Sequence, residues 1–210
     1  MKEGNELFND QYYDDAIEAF QNIRDRYPYS KFVVAAELKI ADCFYMKKHY
    51  DEAYAAYFEF ERFHPNSPKL PYIIYQKAMC HYERVDTIDR DQFYTSAAKQ
   101  EFDRLVKRFP ETEYAKKSIW KTRRCYINLA GKELYVGNFY FKMKKYKAAR
   151  ARYLYALEHF PDLGQYQEAL EYLAQCEKIL GAKKSDEIKL TKVSDTLTCK
   201  DKLLEKKNDP

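Results

Sequence analysis

Residues 53–65 read AYAAYFEFERFHP, and this stretch decides the fold. Its frame is Ala53, an aromatic four residues later (Tyr57) and a proline twelve residues after the alanine (Pro65). The same frame recurs as Ala16/Phe20/Pro28, Ala98/Phe102/Pro110 and Ala149/Tyr153/Pro161. Residues four apart share one face of a helix. The small side chain lets two helix backbones approach closely, and the ring is expected to fill the wedge between successive helix pairs. Proline ends the run, because it has no N–H to donate and restricts the residue before it. Tyr27, His64, Phe109 and Phe160 hold that pre-proline position, where a ring is expected to close the end of each hairpin core.

A twelve-residue step backwards finds the partner helices. Gly4, Ala41 and Gly137 precede Ala16, Ala53 and Ala149 by that distance, and each is followed three residues on by Leu7, Phe44 or Tyr140. This spacing is the tetratricopeptide pattern of a helix–turn–helix repeat. It predicts an all-α tetratricopeptide-repeat solenoid of about five hairpins, four clear and a fifth partial, over residues 1–182. Expected helices cover 1–10, 13–26, 31–47, 50–63, 69–84, 91–108, 112–142, 146–159 and 164–180. Residues 183–210 read as a partial cap helix followed by a disordered tail. The alanine-to-alanine spacings of 37, 45 and 51 exceed the common repeat. Val85–Gln92 lengthens the hairpin loop of repeat three, and Tyr114–Gly137 lengthens the first helix of repeat four.

Composition narrows the function. The 210 residues contain few Gly and Pro but 21 Tyr and 13 Phe, which suits interlocking helix pairs. A net charge of +4 does not by itself point to a polyanion partner, and nucleic acid is not expected. No run approaches the length of a membrane span, and no export signal is visible, so a cytosolic protein and one stripped of its leader both remain open. Cys43, Cys80, Cys125, Cys176 and Cys199 lack CxxC spacing and read as small buried side chains, with a disulfide or metal site as alternatives. His49, His64, His81 and His159 lack ligand spacing, and no nucleophile elbow or phosphate loop is present. The expectation is a binding protein: no catalytic residues, no metal and no cofactor. Basic clusters at Lys116-Lys117, Lys121–Arg124 and Lys142–Lys147 read first as solvated helix faces and second as partner contacts.

In such a repeat the first helix of each hairpin lines the concave side. Positions one, four and five after the small residue, and three before it, are expected to face the groove. They are Asn5, Phe8 and Asn9; Leu38, Asp42, Tyr45 and Met46; Tyr75, Met79, Tyr82 and Glu83; and Leu134, Asn138, Phe141 and Lys142. Asn and Asp pair with a peptide backbone, and the rings and Met offer an apolar floor. The alternative is that these rings pack only on one another.

Five segments go further: Phe63–Tyr75 (FHPNSPKLPYIIY), the loop Asp89-Arg-Asp-Gln92, Leu129–Tyr140 (LAGKELYVGNFY), Tyr146–Ala149 with Arg152, and Glu168-Ala-Leu170 with Tyr172-Leu173. Over residues 4–182 the chain resembles the BamD family, lipoprotein subunits of the machinery that folds β-barrels into the bacterial outer membrane. The family's signal peptide and lipobox Cys are not in the sequence. The resemblance implies a non-enzymatic adaptor on the periplasmic face of the outer membrane, lipid-anchored in the full-length protein. Its implied partners are the periplasmic domains of the barrel subunit BamA, other assembly lipoproteins and unfolded outer-membrane proteins. It further implies a substrate-signal-binding half over 1–110 and a barrel-subunit-docking half over 111–182. Asn5, Phe8, Asn9, Leu38, Asp42, Tyr45, Met46, Tyr75, Met79 and Tyr82 would form the groove, and Arg152 with Asn138, Phe141 and Lys142 the docking face. The alternatives are a related periplasmic scaffold for envelope coordination or secretion, and a cytosolic RNA- or chaperone-binding repeat protein.

Overall fold

A computed structural model describes residues 1–181, and all nine elements among them are α-helices. They are α1 (Lys2–Asn9), α2 (Tyr13–Arg26), α3 (Val33–Met46), α4 (Tyr50–Phe63), α5 (Leu70–Tyr82), α6 (Phe93–Arg108), α7 (Glu113–Lys142), α8 (Tyr146–His159) and α9 (Tyr166–Leu180). The tetratricopeptide-like expectation holds: helices pack as consecutive hairpins, and each expected boundary up to residue 180 lies within two residues of the observed one. The expected cap helix and tail, with Cys199, lie outside the described residues. The chain divides into two compact units, one of Met1–Val85 with Tyr94–Thr122, the other of Asp86–Phe93 with the chain from Arg123 onward.

Each hairpin is built on a close approach. A Cβ on Gly4 would stand 2.7 Å from the Phe20 ring, and one on Gly137 2.6 Å from the Tyr153 ring. Neither distance admits a side chain. The repeat aromatic therefore seats on the small residue of its own hairpin, and Tyr57 and Tyr153 also meet a ring of the following helix, Tyr72 at 6.4 Å and Tyr172 at 5.6 Å, as the expected wedge filling requires. Phe20, Tyr57, Phe102 and Tyr153 are all fully buried.

The turns inside the hairpins are equally regular. In the first, Tyr12 N donates to Leu7 O (2.9 Å) and Gln11 N to Phe8 O (3.2 Å). The pairs His49 N to Phe44 O with Lys48 N to Tyr45 O, and Lys145 N to Tyr140 O with Lys144 N to Phe141 O, repeat it. This crossed pair of bonds is a Schellman cap. It requires a left-handed residue, and Gln11 (φ 66°), Lys48 (φ 62°) and Lys144 (φ 57°) supply it without being glycine. A ring pair then staples each turn edge-on: Phe8 with Tyr13 at 5.6 Å, Tyr45 with Tyr50 at 5.6 Å and Phe141 with Tyr146 at 5.4 Å.

Between hairpins the proline turns repeat as well. Ser30 N to Tyr27 O, Ser67 N to His64 O and Thr112 N to Phe109 O close three turns with Pro in second place. The pre-proline rings differ in what they cover. Phe160 is buried, and Phe109 packs against the cluster of Ile74, Leu105 and Ala115. Tyr27 is 64% exposed and closes no core, because no further hairpin ring covers it at this end of the first unit.

A buried charge knot joins α4, α5 and α6. Lys77 is 2% exposed and lies 3.1 Å from Glu61 and 3.2 Å from Glu101. Arg104 closes the knot at 2.7 Å from Glu61 and 2.6 Å from Glu101. Burial alone would raise the Glu61 carboxyl, but the Arg104 bonds and the Lys77 charge outweigh it and hold the group below its ordinary 4.5.

Two stability outcomes follow from these packing features. Lys48→Gly should raise stability by about 0.5–1 kcal/mol by relieving the left-handed backbone, read as a higher denaturant midpoint. Lys77→Ala should cost about 3 kcal/mol, because two largely buried carboxylates then keep only Arg104, with Arg108 at 3.6 Å from Glu61. Glu61 is depressed on folding, so its contribution is present above about 4.5 and is lost as pH falls through its lower folded value. Lys77→Ala should flatten that acid limb; an unchanged limb in an acid titration of stability would contradict the assignment.

Candidate functional site

The groove positions on the first helices of the first unit fall into two overlapping groups, since a side chain held by an internal partner on one side still shows its other side to solvent. One group is occupied by internal partners. The Asp42 carboxylate accepts hydrogen bonds from the hydroxyls of Tyr57 and Tyr72, each at 2.7 Å, and Lys39 stands 3.9 Å away. Burial holds Asp42 above its ordinary range despite these donors. Burial first, and the Asp42 charge second, push both tyrosine hydroxyls up. Met79 is 7% exposed and belongs to the core. Phe8 and Tyr45 staple their turns, and Lys39 sits 4.3 Å over the Phe8 ring. Tyr75 packs on Phe102 (6.1 Å) and Tyr114 (5.6 Å), and Tyr82 packs edge-on to Phe102 (5.9 Å).

The second group keeps surface. Asn9 and Met46 are exposed, Met46 at 47%. Asn5, Phe8, Leu38, Asp42, Tyr45, Tyr75 and Tyr82 are half-buried and present part of each side chain to solvent. Glu83 is exposed at the end of α5.

In the second unit, Arg152 is exposed on α8 and donates to Glu133 Oε2 at 3.0 Å. Asn138 is spoken for on both ends: its Oδ1 accepts from Tyr153 (2.7 Å) and its Nδ2 donates to Glu168 (3.0 Å). Phe141 lies edge-on between Tyr146 (5.4 Å) and Tyr172 (5.3 Å), while Lys142 is exposed and Leu134 is buried. Among the described residues no cluster of three His, Cys, Asp or Glu has metal-holding geometry. Cys43 and Cys80 are buried and desolvation pushes each thiol up to about 12, which leaves them unreactive.

Two polar groove positions are tied to the repeat aromatic. Where that aromatic is Tyr57 or Tyr153, the residue after the small one is Asp42 or Asn138, an acceptor for the hydroxyl. Where it is Phe102 the same place holds Met79, and where it is Phe20 it holds Asn5. A buried hydroxyl without a partner costs about 1–3 kcal/mol, so Asp42 is coupled to Tyr57 and Asn138 to Tyr153. The sequence offers the acceptor type at this place, though Asn5 opposite Phe20 shows that the type alone does not require a tyrosine. Tyr72, Glu133 and Glu168, the other partners, carry no such signal.

Asp42→Ala should destabilise the first unit by about 2 kcal/mol by stranding two hydroxyls. Adding Tyr57→Phe should recover part of that loss. A denaturation cycle in which the two changes simply add would show that the bond carries no coupling.

Comparison with known proteins points to one family. A family model described as YfiO, outer membrane lipoprotein, matches residues 1–192. The chain is 31% identical over 179 residues to outer membrane protein assembly factor BamD of Rickettsia prowazekii, covering 85% of this chain and 71% of the relative. It is 30% identical over 169 residues to the protein of the same name from Caulobacter vibrioides, covering 80% of this chain and 55% of the relative. A Neisseria meningitidis BamD is 26% identical over 189 residues, with 85% and 71% covered. The chain thus spans between about half and somewhat over two thirds of these relatives' lengths. With a match over all of the described residues and a relative 31% identical, the chain belongs to the YfiO/BamD family of outer-membrane lipoproteins.

Proposed function

We propose that this chain is a non-enzymatic adaptor in the assembly of outer-membrane β-barrel proteins, working at the periplasmic face of that membrane and lipid-anchored in the full-length protein. The observation that carries the reading is the family match over residues 1–192, with relatives named as outer membrane protein assembly factors. Among the described residues no helix is long and apolar enough to cross a membrane, which is compatible with a lipid tether.

In this reading the first helices of the first unit receive the C-terminal signal of an unfolded barrel protein. Met46 and Asn9 offer exposed contacts, and the half-buried rims of Phe8, Tyr45, Tyr75 and Tyr82 form a floor that is already ordered. Ring pairs fixed beforehand lose little entropy when a peptide lands on them. Asp42 contributes by holding Tyr57 and Tyr72 in place, so that its role is positioning rather than backbone pairing. The second unit docks on the periplasmic domains of the barrel subunit through Arg152, with Lys142 exposed at the end of α7 and Asn138 and Phe141 ordering the surface. Arg152 is oriented by Glu133, and its exposed guanidinium retains donors for a partner carboxylate.

The reading is tested at both faces. A photo-crosslinking residue at position 46 or 82 should capture a peptide ending in an aromatic residue, and a scrambled peptide should not compete. Equal capture of the scrambled peptide would remove the groove assignment. Arg152→Glu should weaken binding to the barrel subunit's periplasmic domains at least about tenfold with helicity unchanged. Glu133→Gln should retain binding; unaltered binding by Arg152→Glu would take Arg152 out of the interface.

A further inference from the structure

The second unit carries an apolar stripe that its own core does not use. Tyr135, Phe139 and Met143 are spaced four residues apart along one face of α7 and are 50%, 57% and 55% exposed. Met143 follows the last residue of α7, and its amide still donates to Phe139 O at 3.1 Å, so the three stay in helical register. They span about 12 Å of helix. At the C-terminal end of the stripe stand four exposed lysines within six residues: Lys142, Lys144, Lys145 and Lys147.

This end of the unit has a concentrated positive field. No acidic residue interrupts 141–151. On the packed helix α9, Glu168 and Glu171 keep their charge while hydrogen-bonded by the neutral amides of Asn138 and Gln167, and the four lysines outnumber them. The acidic loop Asp86–Asp91 lies by the other end of the stripe, where Lys132 Nζ donates to Asp89 O at 3.1 Å and Ile88 packs 3.3 Å from where a Cβ on Gly131 would stand. Lys132 and Lys144 are separated by about 18 Å along the helix, beyond the screening length of about 8 Å at physiological salt. The loop therefore does not neutralise the lysines.

We infer that Tyr135, Phe139 and Met143, together with Lys144, Lys145 and Lys147, form a surface that adsorbs to anionic phospholipid headgroups. Half-exposed aromatic rings beside a dense lysine cluster are what an interfacial surface needs: rings enter the headgroup layer while ammonium groups pair with phosphates. The other occupants fit less well. A second copy docking through the same patch would set lysine against lysine. Residues 182–210 hold more lysines than carboxylates and offer no net counter-charge. A protein partner would favour arginine over lysine, which is depleted from protein–protein interfaces. The backbone of Lys144 and Lys145 closes the turn, but a lysine side chain is not what the turn calls for, since Lys144 is in a left-handed conformation and Lys147 puts a cation in the first turn of α8.

The test is co-sedimentation of the full chain with vesicles. Binding is expected to vesicles of phosphatidylglycerol with phosphatidylcholine, and not to phosphatidylcholine alone, with release at high salt. The variant Lys144→Gly/Lys145→Gln/Lys147→Gln should lose about 100-fold in partition coefficient. Phe139→Ser should lose about tenfold. A thermal melt by circular dichroism should show both variants folded, and the salt dependence of the unaltered chain decides the matter without them. Equal binding to both vesicle types, no binding to either, or partition unchanged in the lysine variant overturns the inference, as does capture by an acidic peptide without vesicle binding. None of these outcomes alters the groove crosslinks or the Arg152 result.

Discussion

A ring lying on a residue with almost no side chain is the contact from which the rest of this structure is built. Phe20 on Gly4 and Tyr153 on Gly137 leave no room for a methyl group, so each sets how closely two helices approach. Ala41 plays the part in the cluster around Tyr57. The approach distance in turn dictates the turn: a tight Schellman cap at Gln11, Lys48 or Lys144, stapled by a ring pair of constant geometry. Three ring separations within a few tenths of an ångström are the signature of one solution reused.

Placing rings this densely has a polar consequence. Tyr57 and Tyr153 bury hydroxyls that must be bonded, and the nearest backbone positions on the partner helix are the ones that would otherwise face a ligand. Asp42 and Asn138 are therefore shared between holding the hairpin and shaping its surface. A face made this way is rigid before anything binds. That suits the proposed adaptor role, because ordering costs are already met by the fold.

The charged residues divide by the same logic. Lys77, Glu61, Glu101 and Arg104 are closed on one another where three helices meet and serve specificity of packing. The side chains of Lys142, Lys144, Lys145 and Lys147 contribute to no core and stay in water, where their field acts on whatever approaches. Both groups are lysine and arginine among helices, and they read alike in one dimension. Burial separates them.

By itself the sequence determined the repeat. Alanine, aromatic and proline at constant spacing specify helix, close approach and stop, all within one hairpin and all of short range. Helix ends, the hairpin count through α9 and the long α7 were legible for that reason. Only the tertiary structure decided which side chains remain available. Met79 sank into the core, Tyr27 stayed outside it, Tyr72 completed the Asp42 pair from thirty residues away, and Tyr135, Phe139 and Met143 kept their faces in solvent. Those outcomes depend on which neighbouring helix arrives at a given height. Sequence spacing along one hairpin carries no information about that, because the covering atoms belong to the next.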